Sequence, residues 1–488
     1  MSKKISIIGS GFSALAAACY LAKEGNNVTV FEKNKSIGGR ARQLKKDGFT
    51  FDIGPTWYWM PDVFERFFAD FDKKPSDFYQ LEKLNPAYSV YFGKDDFITI
   101  EDTLEKICDT FEKEEQGSSK KLKKFIANAQ HNYDVAIKDL VYRPGVSVFE
   151  LITPATIKKI NQFFSTIKKE VRKEFKNDRL AKILEFPVLF LGAKPDNTPS
   201  FYSFMNYADF GLGTFHPKKG MYQVILAMET LAKSLGVTIK TENPIDKIIV
   251  TNGKAKGIIS NGITYDSDIV LSGADYHHTE TLLDKPYRQY TETYWEKKIF
   301  APSSLLFYVG FNKKLKNVNH HTLFFDVDFE AHAKEIYDTP KWPENPLFYA
   351  SFPSITDANS APKDNEAGIF LIPLAPGLED TAHLRATYFD KIMTRFENLT
   401  SQTVKNSIIF KESFCVNDFV TDYNSYKGNA YGMANTLMQT AFLRPKLKSK
   451  KVRNLYFTGQ LTVPGPGVPP SLISGKLVAE LIKKHHTN

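Results

Sequence analysis

The stretch KISIIGSGFSALAAACYLAKEGNNVTVFE, residues 4–32, limits what this chain can fold into more than any other. Lys4-Ile5-Ser6-Ile7-Ile8 is a short apolar run of the kind buried in a parallel sheet, and it stops at Gly9. Gly9-x-Gly11-x-x-Ala14 follows. In that spacing Gly9 allows a tight turn, Gly11 lets a pyrophosphate reach the backbone, and the small Ala14 lets helix and strand pack closely. Residues 13–24 are rich in Ala and Leu, and Gly25 suits the position just past a helix end. A second strand, Asn27-Val28-Thr29-Val30-Phe31, runs straight into Glu32. The pattern predicts a βαβ unit whose helix N-terminus offers unpaired N–H groups to phosphates, with Ser10, Phe12 and Ser13 beside the glycines. Glu32, next to Lys33, would accept from both ribose hydroxyls and repel a 2′-phosphate, which argues against NADP. The plain alternative is a βαβ unit that packs a core and binds nothing.

The next residues bear on which dinucleotide. Ser36-Ile37-Gly38-Gly39-Arg40-Ala41-Arg42 is a second Gly-rich loop where a nicotinamide domain would go on to further βαβ units. It can place Arg40 or Arg42 near a phosphate or a flavin edge. FDIGPTWYWMP, residues 51–61, then turns at Gly54-Pro55 and brings Thr56, Trp57, Tyr58 and Trp59 in succession. Here the chain resembles the FAD-dependent amine oxidase and phytoene desaturase superfamily, and its DIGPTW stretch resembles more narrowly the bacterial carotenoid desaturases. That resemblance implies an α/β fold with a Rossmann-like FAD-binding domain of the glutathione reductase/amine oxidase type.

Distant segments carry the same resemblance. NLYFTGQLTVPGPGVPPSLISGKLVAELI, residues 454–482, reads as a strand, a Gly459-Gln460 turn, a Pro-rich loop and a helix. It resembles the family's closing motif, which implies a strand ending beside the flavin, backbone N–H groups such as that of Val468 near Pro469, and Ser471 capping the last helix. The family often has an acid or Ala where Gln460 stands, which leaves the side-chain contact at that position open. Gly220-Met221-Tyr222-Gln223 opens a helix ending near Gly236. The strand after it leads to Pro244-Ile245, where the family holds adenine by a main-chain contact. Lys219-Gly220 departs from the family's usual Gly-Gly. Asn252-Gly253 is a type I′ hairpin signal. NSYKGNAYGMANTLMQTAFLRP, residues 424–445, also resembles the family.

Composition excludes other classes. Three cysteines, none in a CxxC arrangement, offer neither a disulfide framework nor a zinc site and fit a reducing cytoplasm. Six of the ten histidines lie in the adjacent pairs His277-His278, His320-His321 and His485-His486, and neighbours point apart on helix or strand, so no metal is expected. The N-terminal apolar run is consumed by the nucleotide strand, so no secretory signal is expected there. The uncharged residues 455–475 contain too many prolines to span a membrane. A net charge of +9 and pI near 9.0 come without a nucleic-acid motif or a clustered basic arm, so no nucleic acid is expected. A negatively charged membrane surface is the expected partner. Residues 157–175 alternate Ile and Phe with Lys and Arg at helical spacing, which fits either an interfacial helix or a core-facing one with a solvated rim; the resemblance favours the interface. Lys-rich residues 113–124 read as a solvated, mobile segment.

Substrate and chemistry follow from the resemblance. It implies a carotenoid substrate taken from the bilayer into an apolar tunnel by a cytoplasmic, peripherally membrane-associated enzyme. It also implies desaturation by hydride transfer to flavin N5, with a quinone or oxygen as final electron acceptor. Phytoene, converted stepwise towards lycopene, is the expected substrate. A later-stage desaturase of hydroxylated or partly desaturated carotenoids and a non-redox carotenoid isomerase are the alternatives within the fold. A non-catalytic escort protein is disfavoured by the intact Gly9, Gly11 and Glu32, and an amine oxidase by the absence of a covalent-flavin Cys motif. Trp57, Tyr58 and Trp59 are the candidate substrate contacts. Asp209 and His216, in YADFGLGTFHP, are weighed as proton acceptors, but no catalytic base is assigned. The expected organisation is a discontinuous FAD domain from residues 1–100, 215–285 and 415–488, a helical membrane-facing or lid region at 101–214, and a substrate domain at 286–414.

Overall fold

The computed structural model describes residues 2–486. A five-stranded parallel sheet gathers distant parts of the chain in the order Leu455–Phe457, Ile269–Ser272, Lys4–Ile8, Asn27–Phe31 and Thr238–Lys240. Ile5 stands between Val28 and Ile269, so the apolar run at residues 5–8 is buried from both sides, as its composition demands. Three helices cover this sheet: Phe12–Lys23, Tyr222–Ser234 and Val468–His486. The first packs against both others through an almost wholly buried Ala-rich surface. Gly25 sits just past its end with φ +81°, and its N–H donates to the Ala22 carbonyl.

Small residues set the spacing. A Cβ placed on Gly273, at the end of the neighbouring strand, would lie 2.8 Å from the Ala14 Cβ. One placed on Gly475 of the last helix would lie 2.5 Å from the Ser13 carbonyl oxygen. The two ends of the chain therefore meet at backbone contact. Gly220, with φ +93°, packs so closely on Asp52 that a Cβ would fall 2.6 Å from a carboxylate oxygen. That carboxylate accepts from the N–H groups of Met221 (2.7 Å) and Tyr222 (3.2 Å), capping the helix from far away in sequence.

The hairpin forms where Asn252-Gly253 places it, with φ of 50° and 69° between strands Ile245–Thr251 and Lys254–Ser260. A seven-stranded sheet makes a second layer, in the order Ile408–Phe414, Ser303–Phe311, Glu366–Leu374, Phe348–Ser351, His321–Phe324, Tyr88–Gly93 and Asp96–Ile100. Its second strand, Ser303–Phe311, is buried at every residue, and helix Ala382–Leu399 packs Ile392, Met393 and Phe396 over one face.

Several expectations change here. Residues 88–100, grouped above with the nucleotide unit, give their two strands to the seven-stranded sheet instead. Residues 157–175 are not one helix but parts of three, Pro154–Lys158, Ile160–Phe164 and Ile167–Glu174. Thr153 and Thr166 each accept from a backbone N–H three residues on and so start new helices. Ile157, Ile160 and Phe164 are exposed, whereas Ile167, Val171 and Phe175 are buried, so the apolar face divides between solvent and core. Lys-rich residues 113–124 are ordered in helices Leu104–Glu114 and Ser118–Lys138, joined where Glu112 accepts from the N–H groups of Gly117 and Ser119. Ser471 lies inside the last helix, and its hydroxyl donates back to the Gly467 carbonyl rather than capping. No described helix is long and apolar enough to cross a membrane.

Replacing Gly475 by Leu forces the last helix off the first. Overpacking of this kind costs about 1–3 kcal/mol, and thermal unfolding followed by circular dichroism should show a lowered Tm.

Candidate cofactor and substrate site

Both layers open onto one continuous cavity of about 770 Å³. Its nucleotide end is built by the βαβ unit. Gly9, Ser10, Gly11, Phe12 and Ser13 line it, and no side chain caps the helix that begins there. A Cβ on Gly11 would meet nothing within 4 Å, so the loop leaves room directly over the helix N-terminus. Glu32 lines the same end, 4% exposed, and Lys33 stands next to it. One Glu32 oxygen accepts from the Ser10 N–H (3.1 Å) and hydroxyl (2.6 Å), and the other from the Asn34 N–H (2.9 Å). A carboxylate offers about four lone-pair sites, so a direction remains for a ribose hydroxyl, and the carboxylate is already aimed by three protein donors. Ile245 lines this end with Asn243 and Pro244.

Further along, Gly39, Arg40, Ala41, Gly54, Pro55, Thr56 and Trp57 line one wall, and Gly459, Gln460, Val468 and Pro469 the opposite one. The Arg40 guanidinium donates to the Ser425 hydroxyl (3.1 Å) and the Asn429 carbonyl (3.3 Å), while its buried Nε finds no protein partner. Arg42 is the exception among the candidates. It does not line the cavity but pairs with Asp422 and donates to the Tyr423 hydroxyl (3.3 Å). The Gly459 N–H donates to the Ser474 hydroxyl at 3.0 Å, tying the turn to the last helix.

Arg444 holds this wall and was not singled out by its sequence context. It is 2% exposed, and its donors reach the carbonyls of Thr462, Gln439, Met433 and Gln460 and the side-chain oxygen of Asn435, all between 2.7 and 2.9 Å. No carboxylate pairs with it among the described residues. Burial lowers its pKa to about 10, so it stays charged at neutral pH. Its only sequence signal was membership of residues 424–445.

Beyond the nucleotide end the cavity becomes aromatic and aliphatic. Trp57 and Trp59 line it, but Tyr58 points into the core, stacked on Phe64 with its hydroxyl 2.9 Å from that of Tyr79. Successive residues of an extended segment alternate sides, which separates Tyr58 from its neighbours. Phe186, Tyr88 and Tyr349 surround the Trp57 ring at centroid distances of 5.4–5.8 Å. Asp209 and His216 do not line the cavity. Asp209 is buried, accepts from the Tyr88 hydroxyl (2.7 Å), and burial raises its pKa to about 8. Among the described residues no group of three or more His, Cys, Asp or Glu could hold a metal ion.

These features fit FAD: an open anion cradle at a helix N-terminus, a buried oriented carboxylate a strand away, and a long apolar continuation. Gly11→Val tests the cradle apart from the fold. Its Cβ enters empty space, so the stability of the protein without cofactor should change by no more than about 0.5 kcal/mol, the range for substitutions away from packed features, while bound FAD, read by visible absorbance after gel filtration, is lost.

Known proteins agree with this architecture. The family described as flavin containing amine oxidoreductase matches residues 12–483. A carotenoid 3,4-desaturase of Haloarcula japonica is 37% identical over 98% of this chain and 97% of its own. A zeta-carotene-forming phytoene desaturase of Myxococcus xanthus is 30% identical over 98% and 93%. Among solved structures, a putative protoporphyrinogen oxidase from Exiguobacterium superposes with TM-score 0.62 at 14% identity, covering all of both chains. A putrescine oxidase bound to putrescine gives 0.59 at 12% identity over 99% of each chain; at such identities the likeness concerns the fold alone. The cradle, the continuous cavity and these relatives converge: the chain belongs to the flavin containing amine oxidoreductase family, within its carotenoid desaturases, as an FAD-dependent oxidoreductase.

Proposed function

We propose that this protein desaturates a carotenoid at a C–C single bond beside an existing polyene. The observation that carries the reading is the single cavity, which runs from the nucleotide cradle into an apolar channel without a partition. FAD, when bound, supplies the acceptor for the hydride, and the neighbouring carbon gives up a proton. The chain supplies orientation, a dry channel and aromatic faces. Trp57, Phe186 and Tyr349 surround the path, and each aromatic face stabilises a developing polyene cation by about 0.5–2 kcal/mol. Stepwise conversion of phytoene is one substrate reading. The 37% identity to a carotenoid 3,4-desaturase supports a later-stage carotenoid more strongly. Electrons then pass to a quinone or to oxygen.

One part of the cavity lining supports a membrane-surface habit. Gly145, Ser147, Glu150, Phe163 and Leu437 belong to that lining, and their chain neighbours Val146 (63%), Phe149 (75%), Phe164 (79%) and Met438 (72%) are exposed. Large apolar side chains standing free around an apolar mouth suit contact with lipid. A carotenoid of roughly forty carbons, at about 0.8 kcal/mol for each buried CH2, does not travel through water. The collar would let it pass directly from bilayer to channel.

Incubating the FAD-loaded protein with liposomes that carry either phytoene or partly desaturated carotenoids tests the reaction. Reversed-phase chromatography with mass detection should show a product two hydrogens lighter per step. An isomer of unchanged mass would replace desaturation by isomerisation, and no change with any carotenoid would refute both. The triple change Phe149→Ser, Phe164→Ser, Met438→Ser should abolish cosedimentation with anionic vesicles and conversion of liposomal substrate. Turnover of detergent-dispersed substrate should persist.

A further inference from the structure

Desaturation leaves a proton to dispose of inside a dry channel, and the strand floor beneath Trp57 holds a polar string suited to it. Thr56 and Tyr349 line the cavity, with their hydroxyls 2.8 Å apart. Behind them the Tyr349 hydroxyl lies 2.7 Å from Nδ1 of His321, whose ring stacks flat on Trp57 at 4.0 Å. The His321 and His320 rings are 4.5 Å apart, as are those of His320 and His216. Nδ1 of His320 lies 2.6 Å from the hydroxyl of Thr356, which is partly exposed. His320 and His321 were expected to point apart. They converge because His321 opens a strand while His320 sits in the turn before it.

All three imidazoles are at most 3% exposed, and Nε2 of His320, Nε2 of His321 and both nitrogens of His216 have no protein hydrogen bond. Unpaired buried polar atoms are costly, and several in one place call for an explanation that packing does not supply. The geometry points to a proton path running from the cavity through Tyr349, His321 and His320 to the surface at Thr356. This inference rests on the desaturase reading.

As the C–H bond breaks to form the C=C bond, the leaving proton passes to the Tyr349 oxygen and the Tyr349 proton to Nδ1 of His321. His321 releases its Nε2 proton towards Nε2 of His320, directly or across one water. His320 releases its Nδ1 proton towards Thr356 and solvent, and ring and hydroxyl rotations restore the starting tautomers. The two electrons of the broken C–H bond to the other carbon leave as hydride to FAD, so the step balances. Burial holds His320 and His321 well below the ordinary histidine range and His216 down to about 4, which keeps their lone pairs free at neutral pH. A polyene cation is so strong an acid that even a weak base accepts its proton. The carboxylate facing this cluster is Asp357, beside His216, and Tyr431 faces Tyr349 from the cavity side.

The test uses anaerobic, FAD-loaded protein with a carotenoid that bleaches the wild-type flavin. Tyr349→Phe, which removes one oxygen and keeps the ring, and His321→Gln should each slow bleaching by about a hundredfold, the low end for positioned proton transfer. Both should change the solvent deuterium isotope effect and leave FAD content intact. Wild-type rates and isotope effects in both variants would overturn the path and leave the desaturase reading standing. If no carotenoid bleaches wild type, it is that reading that fails. Independently of turnover, 15N spectra of labelled histidine should show Nδ1 of His321 unprotonated in wild type and perturbed in Tyr349→Phe. A protonated Nδ1 would overturn the path.

Discussion

The contact between the first and last helices underlies everything else in this molecule. Gly475 lets one backbone rest on the other at Ser13, and Gly273 lets the strand between them come up against Ala14. Only with the helices at that distance do the N-terminal turn at residues 9–13 and the closing turn at residues 459–460 face the same space. Each turn alone is a common loop. Pressed together by small residues, they become two walls of one site. The cost of assembling walls so far apart in sequence falls on a sheet whose strands come from residues 4–31, 238–272 and 455–457. The folding core and the cofactor site are therefore the same structure.

Local signals were the legible ones. A βαβ unit is specified by periodicity and by glycines with fixed roles, so the roles of Gly9, Gly11, Gly25 and Glu32 are legible in the sequence. The Asn252-Gly253 hairpin belongs to the same class, because only residues that tolerate positive φ close that turn. What escaped was long-range. Asp52 caps a helix whose N-terminus lies near residue 221, and nothing in the string FDIGP announces that partnership. Tyr349 pairs with Leu323 across adjacent strands of the second sheet and reaches His321 on the diagonal, a contact that follows from the register.

Residues 157–175 show how an apolar repeat misleads when new helices start within it. Helical spacing of Ile and Phe was present, but Thr153 and Thr166 start fresh helices and divide the apolar face between inside and outside. A periodicity summed over the whole window cannot detect that division. Arg42 illustrates a different limit. Its place in a Gly-Gly-Arg-Ala-Arg loop suited it to the cavity as well as Arg40, yet the helix Val416–Tyr423 brings Asp422 to it and Arg42 turns away. Composition at a loop gives candidates, and the tertiary charge partner selects among them.

Arg444 has a consequence for the conditions under which the site survives. Its partners are carbonyl oxygens and one amide oxygen, none of which titrates in water. A guanidinium clamped by carboxylates loosens when acid protonates its partners or when salt screens them. This one has no such partner to lose, and shielding by burial keeps ions away from it. The loop lining the cavity is thereby fastened by a charge whose grip survives acid and brine and is lost only as the guanidinium itself titrates at about 10, a fixed hinge pin in a protein whose surface charges remain at the mercy of both.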